Sequence, residues 1–136
     1  MPERHIEYRV EPGDAVMVTG GRGYSDVNAV RDALAGLPAG TTIFHGGATG
    51  ADALAASVAR EMGLPTRHFP ADWGLLGRRA GPIRNRAMLA ERPVLVIAFP
   101  GGRGTADAVA AAQEAGVPVH RVQSRVVTEG DWKDET

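Results

Sequence analysis

Three times in this chain a short apolar run ends in a Gly-Gly pair that leads into a helical pattern. The segments are residues 19–24 (TGGRGY), 45–52 (HGGATGAD) and 100–107 (PGGRGTAD). Together they hold nine of the 18 glycines, which at about one residue in eight exceed the usual share of roughly 7%. The glycines show no three-residue period, so a collagen-like fibre is excluded, and 43% hydrophobic residues supply a packed core.

Apolar runs and helical periodicity alternate along the rest of the chain. Strands are expected at 15–19 (AVMVT), 41–45 (TTIFH), 66–69, 94–99 (VLVIAF) and 117–122. Helices are expected at 25–35, 50–62, 83–91 and 104–115, with Gly63 and Gly116 as stops and Pro82 in a first turn. The run VLVIAF is continuously apolar, as suits a parallel strand covered on both faces, and Pro118 points to an edge strand at the end. Residues 70–82 (PADWGLLGRRAGP) show no periodicity and read as a long loop of the lid or binding type. The expected fold is therefore α/β: one domain over 1–136 with its core at about 15–122, built on an open, mainly parallel five-stranded sheet with helices on both faces. Residues 1–12 and 125–136 read as peripheral.

Composition narrows the function classes. There is no cysteine, which excludes disulfides, thiol catalysis and cysteine-ligated zinc. No apolar run is long enough to span a membrane, and the opening residues MPERHIEYRVEPGD lack a signal-peptide pattern, so a cytoplasmic location is expected. The net charge of -1 argues against a general nucleic-acid binder. The charge is uneven, however. Residues 77–103 carry six arginines (78, 79, 84, 86, 92 and 103) against Glu91, a local +5, while the last eight residues, EGDWKDET, carry -3. Arginine suits a bidentate grip on phosphate or carboxylate, although an arginine-rich solvated surface would look the same.

Parallel sheets bind ligands at the carboxyl ends of their strands, where all three glycine turns fall. Glycine lets backbone approach a ligand closely, and the free N–H groups at a helix start attract anions. A tight turn without a ligand is the plainer reading of any one Gly-Gly pair; three at equivalent strand ends favour a phosphate or nucleotide site. None contains Gly-Lys-Ser/Thr, so none is a Walker A loop, and none has the G-x-G-x-x-G spacing of a dinucleotide site.

The segment PGGRGT resembles the P-G-G-x-G-T motif of the Lonely Guy phosphoribohydrolases, also labelled lysine decarboxylases. TGGRGY, HGGATGAD, ADWGLLGRRAGPIRN and AFPGGRGTAD in this order are similar to the small YspA-type proteins of the same superfamily, SLOG, over about residues 15–122. The resemblance implies a Rossmann-like domain that binds a nucleotide or nucleotide-derived ligand. It also implies roles residue by residue. Arg84 falls on the phosphoribohydrolase arginine and Met88 on its methionine, whereas Asn85 stands where a lysine is expected. The glutamate implicated in N-glycosidic cleavage falls on Ala108, with Asp107 one residue earlier as a candidate substitute. One residue along a helix rotates a side chain by about 100°, so the two positions are not equivalent.

The candidate ligand-binding set is Gly20, Gly21, Arg22, Gly46, Gly47, Thr49, Gly50, Asp52, Arg84, Asn85, Gly101, Gly102, Arg103, Gly104 and Thr105, with Arg84 and Asp107 as candidate catalytic residues. Asp52 stands three residues after Thr49, which fits a capping box for the second helix; the alternative is a ribose contact. Thr105 is either a first-turn hydroxyl or a phosphate donor. Arg78, Arg79, Arg84 and Asn85 are either solvated surface or part of the site. Trp73 either stacks on a base or anchors the loop. Of His5, His45, His68 and His120, only His45 lies beside a glycine turn, where a hydrogen-bonded near-core role is favoured over a ligand contact, and no metal-ligand spacing occurs. Ser25, Ser57 and Ser124 lie in no G-x-S-x-G motif, against a serine hydrolase.

The sequence thus favours a nucleotide-type ligand, phosphoribosyl or ADP-ribose-like, with no cofactor required and no metal. The 70–82 loop is expected to close over the base. A phosphoribohydrolase acting on nucleoside monophosphates is the first alternative. A single-stranded DNA-binding protein is the second, because the superfamily includes DNA-processing protein A; the overall acidity disfavours it. No membrane partner is expected, and a homodimer is a candidate assembly.

Overall fold

The computed structural model describes residues 9–123; the expectations for residues 1–8 and 124–136, the acidic tail among them, lie outside the described residues. Five strands, β1 (Ala15–Thr19), β2 (Thr42–His45), β3 (Thr66–His68), β4 (Leu95–Ala98) and β5 (Val119–Arg121), form one sheet in the order β3-β2-β1-β4-β5. Every pairing is parallel. The helices are α1 (Val27–Ala35), α2 (Ala51–Glu61), α3 (Trp73–Leu76), α4 (Ala80–Ala90) and α5 (Arg103–Glu114), with a 3-10 turn at Gly77–Arg79 between α3 and α4.

The alternation within each strand decides which helices cover which face. In β1, Val16 and Val18 pack with Val30 and Leu34 of α1 and with Ala55 and Val58 of α2. Met17, pointing the other way, packs with Met88 and Leu89 of α4 and with Ala108, Ala111 and Ala112 of α5. β4 divides likewise, Leu95 and Ile97 to the first layer and Val96 to the second. Burying a side chain of this kind contributes about 1.5–3 kcal/mol, so two covered faces explain both the apolar strands and the three-layer arrangement.

The chain runs outward from β1 through β2 to β3, then returns to the other side of β1 to add β4 and β5. The order reverses between β1 and β4, and a crevice opens there at the carboxyl ends of the strands. Among the described residues, no helix is long and apolar enough to cross a membrane.

Several boundaries differ from the sequence expectation for identifiable reasons. α1 begins at Val27 because Asp26 caps it, its Oδ1 accepting from Ala29 N at 3.0 Å. Thr41 is drawn out of β2 into a turn, its hydroxyl donating to Pro38 O at 2.7 Å. Val117 leaves β5 because its N–H donates to Ala112 O at the end of α5. The largest correction concerns the long loop expected at 70–82. It holds α3, the 3-10 turn and the first turn of α4, so only residues 69–72 lie between β3 and α3. Asp72 caps α3, its Oδ1 accepting from Leu75 N at 3.0 Å. Pro82 is tolerated as the third residue of α4, where an N–H has no intrahelical partner to lose.

Candidate functional site

The register Thr19↔Ala98 brings the exits of β1 and β4 side by side, and their glycine turns pack against each other. Gly21 N donates to Pro100 O at 2.9 Å, and Gly21 O accepts from Ala51 N at 3.1 Å at the start of α2. A β-carbon on Gly20 would fall 2.9 Å from Phe99 Cβ, and one on Gly101 would fall 2.7 Å from Gly21 N. Gly50, at φ +74°, presses against the carbonyls of Gly21 and Arg22. Part of the glycine excess therefore serves contact between turns.

The second turn is organised from behind by Asp52. This buried carboxylate accepts from Gly46 N at 3.1 Å and Ala48 N at 3.3 Å through Oδ2. The capping box expected between Thr49 and Asp52 is absent: Thr49 donates to Arg22 O at 3.1 Å, and the N-cap of α2, Gly50, has no side-chain cap. Burial pushes the Asp52 carboxyl above its ordinary value, opposed by the two backbone donors and the Arg84 charge.

Arg84 joins this turn to α4 and α5. Its Nη1 donates to Gly46 O at 3.0 Å and to Phe69 O at 3.4 Å, and its Nε to Asn85 Oδ1 at 3.0 Å. Burial pulls this guanidinium below its ordinary value, partly offset by Asp52. Asn85, itself buried, donates through Nδ2 to Asp107 Oδ2 at 3.0 Å, and Arg86 Nη1 reaches both oxygens of Asp107 at 3.2 and 3.0 Å. Ala108, where the resemblance expects a glutamate, is 0% exposed and belongs to the core layer under α5.

These elements surround a cavity of about 980 Å³, at the large end of the usual range for ligand pockets. Every candidate site residue lines it except Gly50 and Gly101, which are spent on packing between turns. Arg22, Arg78, Arg84 and Arg103 face it, against the carboxylates Asp52 and Asp107. Arg79 is not among its lining residues.

Helix ends sharpen the electrostatics. α1 and α3 carry aspartate N-caps, whereas α2, α4 and α5 have no side-chain cap, and α5 starts from Gly102. An α-helix leaves its first N–H groups without intrahelical partners. On α5 these belong to Arg103, Gly104 and Thr105, all on the cavity wall. Together with the helix dipole they form a preorganised site for an anion.

His45 takes the hydrogen-bonded, near-core role rather than that of a ligand contact, and the cavity is lined by a histidine for which no role was expected. His45 lies behind the wall, with Nδ1 accepting from Gly47 N at 3.2 Å, and His68 is the one on the cavity. The rings stack with centroids 5.3 Å apart, because β2 and β3 pair in register at these residues. Burial, then the neighbouring His68 and Arg60, pulls His45 below its ordinary value, consistent with an unprotonated Nδ1. Both histidines end strands, which is the sequence signal for the pair; the register stacks them, and burial of His45 leaves His68 as the one that lines the ligand space. Among the described residues, no cluster of three or more His, Asp or Glu could hold a metal ion.

Residues 15–75 match the family described as "YspA, cpYpsA-related SLOG family". The Gene 61 protein of Mycobacterium phage D29 is 40% identical over 116 residues, covering 76% of this chain and 92% of that protein. DNA processing protein A from Streptococcus pneumoniae shares the fold, with a TM-score of 0.69 at 21% identity over 79% of this chain. The match covers 50% of that protein, so the chain spans about half its length.

Proposed function

The chain belongs to the YspA-related SLOG family, and from that premise we propose that it binds a nucleotide or nucleotide-derived ligand in the crevice between β1 and β4. It acts there as a sensor or processing protein. The observation that carries the reading is the uncapped start of α5, whose free N–H groups open on a cavity faced by four arginines. Phosphate is the anion whose charge and several acceptor oxygens suit such a set of donors. The ligand is phosphoribosyl or ADP-ribose-like, and neither cofactor nor metal takes part. Calorimetric titration with AMP, ADP-ribose and cyclic nucleotides tests the reading. Saturable heat with at least one is expected; none with any, on folded protein, would contradict it.

One observation favours a second reading. Asp107 reaches the cavity wall, so hydrolysis of a nucleoside monophosphate to base and ribose phosphate has a carboxylate available. That carboxylate already accepts from Asn85 and Arg86, which ill suits proton transfer. A DNA-binding reading draws only on the fold shared with DNA processing protein A. A gel shift with single-stranded DNA that weakens steeply with salt would favour it.

A further inference from the structure

The cavity has two chemically different walls. The turns after β1, β2 and β4 bring backbone donors and arginines. The wall that runs from the end of β3 through α3 to the start of α4 brings Pro70, Ala71, Trp73, Gly81 and Pro82, with His68 and Arg78 as its polar members. Trp73 is the one large flat surface there, and it is 48% exposed. Its ring lies on α4 at Gly81, where an added β-carbon would come within 3.1 Å of Cη2. The Arg22 guanidinium, from the first glycine turn, stands over the ring 5.6 Å from its centroid. That is a cation–π contact between the first glycine turn and the wall that carries Trp73.

We propose that Trp73 is the stacking platform for a nucleobase and that Arg22 is the latch over it, so that the site selects free nucleotides over bare ribose phosphates. This rests on the nucleotide reading above. A bare sugar phosphate satisfies the polar wall and leaves Trp73 uncovered. A nucleotide extends from the α5 terminus to the wall that carries Trp73 and lays its base on the ring. Arg22 gives up the ring face to the base and keeps a phosphate within reach of its guanidinium. Planar guanidinium and planar base compete for one surface, which couples base recognition to the movement of a phosphate-binding charge.

The chain has a second tryptophan, Trp132, so the test uses a Trp132→Phe background in which Trp73 alone emits. Emission and calorimetric heat are followed on titration with AMP, ribose 5-phosphate and a single-stranded decathymidylate. AMP is expected to bind and quench Trp73, and ribose 5-phosphate to bind more weakly without quenching. Trp73→Ala should weaken AMP by roughly 5- to 150-fold, the range of a base–aromatic stack, and leave ribose 5-phosphate unchanged. Trp73→Phe, which keeps a ring, should recover most of the loss and covers the case in which the alanine variant does not fold. AMP heat with unchanged emission, or equal quenching by ribose 5-phosphate, would overturn the platform and leave the nucleotide site standing. No heat with either small ligand would overturn both. Decathymidylate binding more tightly than AMP would overturn the choice of a free nucleotide.

Discussion

Arg84 and Gly46 share one space: the guanidinium Nη1 donates to the Gly46 carbonyl at 3.0 Å and occupies the position that a β-carbon on residue 46 would take. Gly46→Ala therefore evicts the guanidinium and strands its bond to Asn85. The expected cost is about 1–3 kcal/mol in urea unfolding, from overpacking and lost hydrogen bonds. Nucleotide affinity should fall in parallel. A variant with parental stability and affinity would show that Arg84 does not organise the turn.

The interlocked turns give a paired test. A β-carbon on Gly20 meets the fixed β-carbons of Phe99 and Ala51, whereas one on Gly23 meets nothing within 4 Å. Gly20→Ala should lower stability by about 1–3 kcal/mol, and Gly23→Ala should stay within roughly 0.5 kcal/mol of the parent. Equal melting temperatures for the two variants would refute the close contact between β1, α2 and β4.

Much of this arrangement is legible in the sequence, and the exceptions share a cause. Leu95, Val96 and Ile97 in one apolar run announce a strand covered on both faces, and the Gly-Gly pairs mark three strand exits. By contrast, AGP at 80–82 reads as a break, yet it opens α4. Gly81 is there to receive the Trp73 ring, and Pro82 falls where a helix needs no N–H. Thr49 and Asp52 have the spacing of a capping box, but the aspartate turns back to the preceding loop. His45 is near-core, as its place at a strand end suggests, but His68 reaches the cavity wall only because β3 pairs beside β2. In each case the deciding partner is distant in sequence, so local pattern identifies the residue and leaves its contact open.

His45 sets a pH dependence. Its imidazole is held below the ordinary value of 6.5, first by burial and then by His68 and Arg60. A depressed base adds stability that is fully present above its unfolded value and is lost as pH falls toward its folded value. The parent should therefore lose stability relative to His45→Asn between about pH 7 and pH 5. The His45 ring resonances should titrate with a midpoint below 6.5. A midpoint above it would contradict the buried, unprotonated Nδ1.

Asp107 separates binding from hydrolysis. Its carboxylate is held by Asn85 and Arg86, so free adenine should not accumulate above the buffer control when AMP is incubated with the protein. Chromatography of the mixture gives the answer. Adenine that accumulates with the parent and disappears with Asp107→Ala would favour the phosphoribohydrolase.

The most direct measurement of the nucleotide site uses Gly104, in the exposed first turn of α5, where an added β-carbon meets no atom within 4 Å. Alanine there improves helix propensity, so Gly104→Ala should fold at least as stably as the parent, by up to about 1 kcal/mol. Gly104 lines the cavity, so the same methyl takes up space beside the first N–H groups of α5. Calorimetry with AMP or ADP-ribose should show saturable binding by the parent and at least about tenfold weaker binding by Gly104→Ala, equivalent to roughly 1.4 kcal/mol. Equal affinity in the two proteins, or no binding by the parent, would contradict a nucleotide site at the start of α5.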